Sequence, residues 1–435
     1  MENKVIRAAL LGMGTVGTGV YKGLKMQQNE MEQKLGCSVK IDRILVRNTE
    51  EARAKTGEDP VEITDRFEDI ITDPGLGIII EVMGGIEPAR TYITEALRKG
   101  ISVVTANKDL MAEYGGELLD IATDNGADLF FEASVAGGIP IIQPLKQSLS
   151  ANHLTEVVGI VNGTTNFILT RMFKDGMEFD DALSMAKDLG YAEADPTADV
   201  EGLDAARKMA ILASIAFNSR VVFRDVHPEG ITKISSKDIE YALEMGYAIK
   251  LLGVARNEED GIEAYVCPML ISDKHPLAAV NDSFNAVFIH GDAVDDAMFF
   301  GRGAGELPTA SAVAGDVFEV ARNIRTGATG RIGCTCYKQI PVKKFEDTRN
   351  RFFSRMVVED RSGVLAEMME VLAGYKISIV QLIQKESRIK NMAEVVIMTD
   401  SVREGDFRDA MKELAKRTCV KEICSIIRVY GKTIG

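Results

Sequence analysis

The segment Leu10-Leu11-Gly12-Met13-Gly14-Thr15-Val16-Gly17 is the strongest indicator of the fold class, because it places the pattern Gly-x-Gly-x-x-Gly between a predicted strand and a predicted helix. The first glycine permits a tight turn, the second lets the backbone approach a pyrophosphate, and the third lets helix and strand pack closely. The pattern therefore predicts a dinucleotide site at Gly12, Gly14, Thr15, Val16 and Gly17, with the phosphates at the helix N-terminus.

Around this motif, short apolar runs alternate with segments of helical spacing. The runs show little polar alternation, which is typical of strands buried on both faces. Repeated strand–helix–strand order predicts an α/β protein with an N-terminal Rossmann-type parallel sheet over residues 1–136. The predicted strands are Val5–Leu11, Ser38–Val46, Gly77–Met83, Ile101–Thr105 and Ala127–Glu132.

Beyond residue 136 the pattern predicts an α+β substrate-binding and dimerisation domain over residues 137–305. Its longest predicted helices are Leu203–Phe217 and Ile239–Val254. Residues 306–330 contain an amphipathic helix that we expect to return to the nucleotide domain, and residues 331–350 are the predicted linker.

The remaining residues, 351–435, show the order βαββαβ, which predicts a compact ferredoxin-like domain. Its predicted elements are Phe352–Glu359, Gly363–Ala373, Ile377–Glu386, Met392–Thr399, Arg403–Arg417 and Val420–Val429. About 80 residues can just bury a core, and such modules often pair with a second copy. We therefore expect a homodimer or a homotetramer.

Composition restricts the class of protein. A formal net charge of −14 over 435 residues makes nucleic acid an unsuitable partner, because phosphate contacts need a basic surface. No apolar run is long enough to cross a bilayer, and no signal-peptide core precedes the first strand, so we expect a cytoplasmic protein without a membrane partner. The 6 cysteines are too sparse for a disulfide scaffold and form no Cys-x-x-Cys pair, so reduced thiols are expected.

Cofactor preference depends on the end of the second strand. NAD-specific folds place an acidic residue there, whereas this chain has Arg47, which suits a 2′-phosphate. We therefore predict NADP, with NAD as the alternative if Arg47 is a solvated surface residue.

Two lysines are candidates for chemistry. Lys108 follows the fifth strand, and ligands bind outside the carboxyl ends of such strands. Asp204 and Lys208 lie four residues apart on a predicted helix, so they share a face. A positioned lysine can transfer a proton, although a solvated surface lysine is the alternative in both cases. Upstream, four carboxylates suit an ammonium group: Glu193, Asp195, Asp199 and Glu201.

Together these residues make the chain resemble the regulated bacterial homoserine dehydrogenases over nearly its whole length. The supporting segments are Gly12–Gly19, Glu81–Gly85, Thr105–Lys108, Glu132–Pro140, Gly159–Thr165, Gly190–Lys208 and Gly301–Gly305. The resemblance implies NAD(P)-dependent interconversion of L-homoserine and L-aspartate 4-semialdehyde, a step in threonine and methionine biosynthesis.

The resemblance also implies a role for each matching residue. Lys208 is the expected proton donor, with Lys108 beside the reacting centre and Asp204 supporting the lysine. The implied substrate contacts are Glu193, Asp199, Gly163, Thr164 and Tyr191, and further cofactor contacts are Thr105, Lys108, Gly303 and Glu306. A monovalent cation such as sodium is implied near Glu132, Val135, Gly137 and Ile139, where an ordinary turn is the alternative.

The C-terminal module resembles the amino-acid-sensing ACT domains. In the turn Glu359–Leu365, Gly363 would let a ligand carboxylate approach helix amides, although many members have proline where this chain has Ser362. The implied effector is threonine, and a purely structural dimerisation module is the alternative.

Two other functions compete with this one. A non-catalytic nucleotide- and amino-acid-sensing regulator would not need the Glu193–Lys208 segment. A phosphorylating semialdehyde dehydrogenase would need a nucleophilic cysteine in a recognisable motif, which the sequence lacks.

Overall fold

The computed structural model describes residues 4–431. The chain forms two compact units. The first contains the residues up to Val157 together with Arg207–Val226 and Asn285–Ile340, and the second contains Val158–Ala206, His227–Phe284 and the residues from Pro341 onward. The finer domain boundaries given above stay predictions.

The first unit is built on the N-terminal repeat of strands and helices. Its elements are β1 (Lys4–Leu11), α1 (Thr15–Met26), α2 (Gln28–Leu35), β2 (Cys37–Leu45), α3 (Thr49–Thr56), β3 (Glu62–Thr64), α4 (Glu68–Ile71), β4 (Leu76–Glu81), α5 (Ala89–Arg98), β5 (Ser102–Thr105), α6 (Lys108–Asp124) and β6 (Leu129–Phe130). All strands pair in parallel, in the order β3-β2-β1-β4-β5-β6. The predicted Rossmann-type sheet is confirmed, and only the three-residue β3 was not predicted.

The middle of the chain supplies elements to both units. They are β7 (Leu154–Ile160), α7 (Gly163–Asp175), α8 (Phe179–Asp188), α9 (Thr197–Val200), α10 (Leu203–Phe217), β8 (His227–Pro228), α11 (Ser236–Glu244), β9 (Tyr247–Glu258), β10 (Gly261–Ser272), β11 (Phe284–Gly291), β12 (Asp295–Arg302) and α12 (Glu306–Thr326). Helix α12 buries Val313, Val317 and Val320 in the core of the parallel sheet. A Cβ at Gly19 of α1 would lie 2.9 Å from Glu306 Cγ, so this glycine allows α1 and α12 to pack closely.

The predicted helix Ile239–Val254 is wrong over its second half. Helix α11 ends at Glu244, Gly246 adopts a φ of +78°, and the chain continues as strand β9. Strand β9 pairs with β10 in antiparallel register from Tyr247 to Glu258. The apolar run was compatible with either structure, and the glycine turn together with this long-range pairing decides for the strand.

The C-terminal module has the predicted order of elements. They are β13 (Arg349–Glu359), α13 (Val364–Gly374), β14 (Ile379–Glu386), β15 (Met392–Thr399), β16 (Val402–Arg403), α14 (Glu404–Leu414) and β17 (Val420–Val429). Its core includes Phe352, Met368 and Phe407. The βαββαβ prediction is confirmed, with the short β16 added beside β13.

The sheet of this module continues into earlier strands of the same unit. Antiparallel pairing joins β17 to β13, β13 to β15 and β15 to β14. On the other side, β17 pairs in parallel with β10 at Met269–Arg428 and Leu270–Val429. No helix among residues 4–431 is both long and apolar enough to cross a membrane.

Candidate functional site

The glycine turn after β1 has the geometry that the sequence predicts. Gly12 adopts a φ of +101°, and a Cβ there would lie 2.9 Å from the Val82 carbonyl oxygen. A Cβ at Gly17 would collide with the Gly12 carbonyl, whereas Gly14 has open space at its Cβ position. Gly14 is the N-cap of α1 and supplies no side chain, so amides at Thr15 and Val16 begin the helix without a side-chain cap. This cradle fits a phosphate group at a helix N-terminus.

A cavity of about 530 Å³ lies beside the turn, lined by Gly12, Gly14 and Arg47 among others. Sequence reasoning missed Lys55, which lines the same cavity. Its Nζ donates to the Met13 carbonyl oxygen at 2.9 Å and to Glu51 Oε1 at 2.6 Å. The i, i+4 spacing of Glu51 and Lys55 was the available signal. Two cations therefore line the part of the cleft that follows β2.

The carboxyl ends of β4 and β5 are joined by a buried carboxylate. Glu81 accepts hydrogen bonds from the amides of Met83 at 2.8 Å and Gly84 at 3.3 Å, and from the Thr105 hydroxyl at 2.6 Å. Burial raises the pKa of Glu81 despite these donors. Thr105 is also buried, and its hydroxyl holds the Glu81 carboxylate at the ends of the two strands. Sequence reasoning placed Glu81 in a matching segment but gave it no role.

The start of α6, which carries Lys108, is fixed by Asn107. The Asn107 side chain accepts from the Leu110 amide at 3.1 Å, and its Nδ2 donates to the Gly85 carbonyl oxygen at 2.6 Å. The next residue, Asp109, forms an ion pair with Arg207, with 2.7 Å between Asp109 Oδ1 and Arg207 Nε. Each member of this pair is a chain neighbour of a predicted catalytic lysine, Lys108 or Lys208.

The predicted cation loop and the predicted glycine loop contact each other. The Gly138 amide donates to the Arg302 carbonyl oxygen at 3.0 Å, and a Cβ at Gly137 would collide with the Gly303 carbonyl. Beneath Gly303 lies Asn285, whose buried side-chain amide has no hydrogen-bond partner among the residues that the structure describes. Glu306 begins α12 directly after this loop.

The Glu132 carboxylate accepts hydrogen bonds from backbone amides. Its oxygens accept from the amides of Ile141, of Ile142 at 2.7 Å and of Gln143 at 2.8 Å. Burial raises the pKa of Glu132 even so. Within residues 4–431, no backbone amide donates to the carbonyls of Val135, Gly137 or Ile139. Any cation here would therefore be coordinated by main-chain carbonyl oxygens, because the Glu132 carboxylate already accepts hydrogen bonds from backbone amides.

In the second unit, Asn162 joins two of the predicted site carboxylates. Its Nδ2 donates to Asp199 Oδ1 at 2.7 Å and to Asp204 Oδ2 at 2.9 Å, while its Oδ1 caps α7 by accepting from the Thr165 amide at 2.9 Å. Asp204 is buried. Asn before Gly-Thr is a helix N-cap signal that could have been recognised from the sequence, but its contacts with Asp199 and Asp204 could not.

Only some of the other predicted substrate residues contact one another. The Thr164 hydroxyl donates to the Tyr191 carbonyl oxygen at 2.6 Å, so its proton is committed within the protein. Gly163 and Thr164 are the first residues of α7, whose amides point out of the helix end. Glu193 is exposed and has no hydrogen-bond partner in the part of the chain that the structure describes.

Two of the four crowded carboxylates serve local structure. Asp195 Oδ1 accepts from the Thr197 hydroxyl at 2.6 Å and from the Thr197 amide at 3.1 Å, which lowers the pKa of Asp195. Glu201 Oε1 accepts from the Thr232 hydroxyl at 3.2 Å. Of the other two, Glu193 is exposed and Asp199 accepts from Asn162.

Helix α10 carries Asp204 near its start and Lys208 one turn later. The first unit thus holds a dinucleotide cradle, Lys108 and Lys208, and the second holds the Asn162 cluster and the α7 amides. Chemically, these groups can bind a phosphorylated nucleotide, hold an ammonium group and exchange a proton.

Comparison with known proteins identifies the family to which this chain belongs. Residues 140–318 match the family model "Homoserine dehydrogenase", residues 12–132 match "Homoserine dehydrogenase, NAD binding domain", and residues 355–418 match "ACT domain". A homoserine dehydrogenase from Bacillus subtilis is 44% identical over 98% of this chain and 99% of its own length.

Solved structures agree with this result. A homoserine dehydrogenase from Thiobacillus denitrificans superposes with a TM-score of 0.93 at 39% identity, covering 98% of each chain. A hyperthermophilic archaeal homoserine dehydrogenase in complex with NADPH has a TM-score of 0.62 at 27% identity, covering 73% of this chain and 97% of that one.

Proposed function

This chain belongs to the homoserine dehydrogenase family, an NAD(P)-dependent oxidoreductase family, and we propose that it interconverts L-homoserine and L-aspartate 4-semialdehyde. The observation that carries the proposal is the full-length similarity, whose matched ranges span the dinucleotide cradle, both lysines and the Asn162 cluster. The reaction belongs to the route toward threonine and methionine, in a chain that we expect to be cytoplasmic and to form a homodimer or homotetramer.

The chain's own residues would bind and orient the cofactor. Gly12, Gly14 and the first amides of α1 would hold the pyrophosphate, and Gly303 and Glu306 would close the glycine loop beside it. A bound nicotinamide supplies or accepts the hydride. The protein is left to hold the substrate and to move one proton.

Lys208 is the proposed acid–base residue. In the oxidative direction its amine would take the proton of the substrate 4-hydroxyl, and in the reductive direction it would return that proton to the developing alkoxide. Asp204, held by Asn162, would keep the lysine in place, and Lys108 would stabilise the negative oxygen. A positioned general acid contributes about 10²–10⁴ in rate.

Substrate recognition uses opposite charge and helix amides. Asp199 and Glu193 would bind the amino group, and Tyr191 would line the same pocket. The substrate carboxylate would accept from the amides of Gly163 and Thr164 at the start of α7. Because the Thr164 hydroxyl proton is already donated to Tyr191, its oxygen would act as an acceptor.

The reaction is tested by incubating the full-length protein with L-homoserine and either nicotinamide cofactor, following absorbance of the reduced cofactor and identifying the product aldehyde. L-2-Aminobutyrate, which lacks the 4-hydroxyl, is the matched control substrate. We expect the nicotinamide cofactor to be reduced with L-homoserine and not with L-2-aminobutyrate. A folded sample that binds cofactor but leaves L-homoserine unchanged would contradict the proposal.

NADP is the proposed preferred cofactor, supported by the paired cations Arg47 and Lys55 in the cleft. Because a hydrogen bond to a charged group contributes about 1.5–3 kcal/mol, we expect Arg47→Ala and Lys55→Met each to reduce kcat/KM for NADP by about tenfold or more while changing that for NAD little. Lys34→Met removes a similar i, i+4 partner of a glutamate on α2 and is the matched control. A wild-type preference for NAD would reject the assignment.

A monovalent cation is proposed at the carbonyls of Glu132, Val135, Gly137 and Ile139. Main-chain oxygens suit a hard ion such as sodium. The test is a titration of the melting temperature with sodium chloride against choline chloride at matched ionic strength. We expect a saturable rise with sodium alone; equal curves would indicate an ordinary turn.

Threonine is proposed as the effector of the C-terminal module. Gly363 adopts a φ of +91° as the N-cap of α13, where it leaves the first amides of that helix without a side-chain cap. Isothermal titration with L-threonine, with D-threonine as the control, checks the assignment. If L-threonine neither binds nor changes turnover, the proposal is rejected and the module is a structural dimerisation unit.

A further inference from the structure

Two cysteines in the segment after α12 have unusual neighbours. The Cys336 thiol donates to the Ser214 carbonyl oxygen at 3.5 Å. The Cys334 thiol interacts with the thiol and the backbone amide of Cys336 and with the Arg220 guanidinium. Arg220 is held in turn by an ion pair with Asp120. The two sulfurs are therefore adjacent to each other and to a fixed cation.

These interactions divide the pair into one thiolate and one thiol. Interaction with Cys336, followed by the charge of Arg220, lowers the pKa of Cys334 to about 5 against the cost of desolvation. The same contact raises the pKa of Cys336. Lys146 adds a further positive charge nearby, while burial lowers the pKa of its own amine. A thiolate in an electropositive setting is the reactive form of cysteine.

Small molecules can reach the pair. Cys336 and Arg220 line a cavity of about 250 Å³ whose other walls include the apolar side chains of Phe131 and Ile211. Both Cys334 and Cys336 are partly exposed.

The remaining cysteines have different environments. Cys37, Cys267 and Cys419 are buried, and burial raises the pKa of Cys267 to about 12. Burial also raises the pKa of the half-exposed Cys424. Among residues 4–431, Cys334 is thus the cysteine whose surroundings favour the thiolate.

We propose that Cys334 and Cys336 form a peroxide-sensitive modification site, in which Cys334 is the attacking thiolate and Cys336 the resolving thiol. The Cys334 sulfur attacks one oxygen of hydrogen peroxide, the O–O bond breaks, and the released hydroxide takes a proton to become water, leaving a sulfenic acid. The Cys336 sulfur then attacks the Cys334 sulfur, the S–O bond breaks, and hydroxide leaves as water with the thiol proton. In sum, two thiols and one peroxide give a disulfide and two waters.

The expected consequence lies at α10. Disulfide formation removes the Cys336 thiol proton, and with it the hydrogen bond to the Ser214 carbonyl on the helix that carries Lys208. The Ser214 hydroxyl also bonds both the amide and the carbonyl of Val221, at 2.9 and 2.8 Å, so this end of α10 is tied to the chain that follows it. Oxidation would therefore disturb the catalytic helix from its far end.

The first test measures iodoacetamide labelling of the reduced full-length protein against pH, with each cysteine quantified by peptide mass spectrometry. We expect Cys334 to be labelled with an apparent pKa at least about two units below the ordinary value near 8.5. Arg220→Gln and Cys336→Ala should both raise this apparent pKa, whereas Arg98→Gln, an exposed arginine on α5, should not. Labelling of Cys334 at the ordinary pKa would overturn the proposal.

The second test treats the protein with hydrogen peroxide. We expect a Cys334–Cys336 disulfide, reversed by dithiothreitol, and a reversible fall in turnover that is absent in Cys334→Ser. Sulfinic acid at Cys334 without a disulfide would overturn the resolving role of Cys336. A disulfide that leaves turnover unchanged would overturn the link to α10. Because labelling needs no substrate, a failed dehydrogenase assay and a failed thiol proposal are distinguishable.

Discussion

Glu81 and Glu132 in the first unit and Arg428 in the second are all buried ionisable side chains, but they differ in the kind of group that they contact. The two glutamates accept hydrogen bonds from backbone amides and, for Glu81, a hydroxyl. Arg428 instead forms ion pairs, with Glu404 at 2.6 Å and with Glu229 at 2.8 Å. The carboxylates shape loops beside ligand cavities, whereas the ion pairs join distant parts of the chain.

This difference leads us to expect different losses on mutation. Removing a loop-shaping carboxylate should weaken ligand binding more than it weakens the fold. Removing one partner from a buried ion pair leaves a charge in a medium of low polarity, so it should weaken the fold first.

The largest effect is expected for Glu404→Ala. Arg428 has only 3% of its side chain exposed, and Glu404 accepts from both its Nε at 3.0 Å and its Nη2 at 2.6 Å. Only the partly exposed Glu229 would then remain paired with this guanidinium, so the free energy of unfolding should fall by about 3–5 kcal/mol in urea denaturation. Glu413→Ala, on the solvent side of the same helix, is the matched control and should change little. Equal losses for the two variants would remove the proposed contrast.

A smaller effect on stability, with a clear effect on binding, is expected for Glu81→Gln. An amide cannot accept all three donors at this position, so the cost should be about 1–3 kcal/mol. Because Glu81 positions Met83 and Gly84, which line the nucleotide cavity, the Kd for NADP should rise. Fluorescence titration of NADP checks this, with Glu95→Gln on α5 as the control. An unchanged Kd would contradict the loop-shaping role.

The same variant has a pH signature. Burial raises the folded pKa of Glu81 above its unfolded value, so ionisation is disfavoured in the folded protein. The contribution of Glu81 to the free energy of unfolding is therefore greatest below the ordinary carboxyl pKa, about 4.3, and it falls as pH rises through the folded pKa. Glu81→Gln should lack this fall when unfolding is measured from acid to neutral pH.

The smallest effect is expected for Lys250→Met in the second unit. Lys250 is a buried cation that donates to oxygens of Val280 at 2.5 Å and of Asn166 and Asn281 at 3.2 Å, none of them a carboxylate. Relief of desolvation and loss of hydrogen bonds oppose each other, so the change should stay below about 2 kcal/mol. A loss as large as that of Glu404→Ala would contradict the distinction.

Lys250 also gives a pH test of opposite sign. Desolvation lowers its pKa to about 8, below that of an unfolded lysine. The folded protein thus prefers the neutral amine, and its stability should rise with pH between about 8 and the unfolded pKa near 10.4. Urea unfolding across that window should show the rise in wild type and its loss in Lys250→Met.

The sequence predicted most of the local structure. Helix Leu203–Phe217 and strands Met392–Thr399 and Val420–Val429 have the predicted bounds, because periodicity and flanking turn residues are local signals. The run Ile239–Val254 failed because pairing with β10, invisible in local periodicity, overrode its helical spacing.

Within the candidate site, residue types were predicted but not their mutual contacts. Asp199 and Asp204 were selected, yet their common donor Asn162 lies 37 and 42 residues away in sequence. The hydrogen bond from the Thr105 hydroxyl to Glu81 was likewise not predicted, and the cofactor contact of Thr105 stays a prediction. Such contacts depend on the packing of strand ends, which only the folded chain determines.

The most direct test of the account is the rate of L-homoserine oxidation by Lys208→Ala at saturating cofactor. Lys416→Ala, an exposed lysine on the surface of the C-terminal module, is the control. We expect Lys208→Ala to lose about 10²–10⁴ in kcat while its Kd for NADP stays unchanged, because a proton donor acts on the chemical step. Turnover within a few-fold of wild type would show that Lys208 is not the acid–base residue.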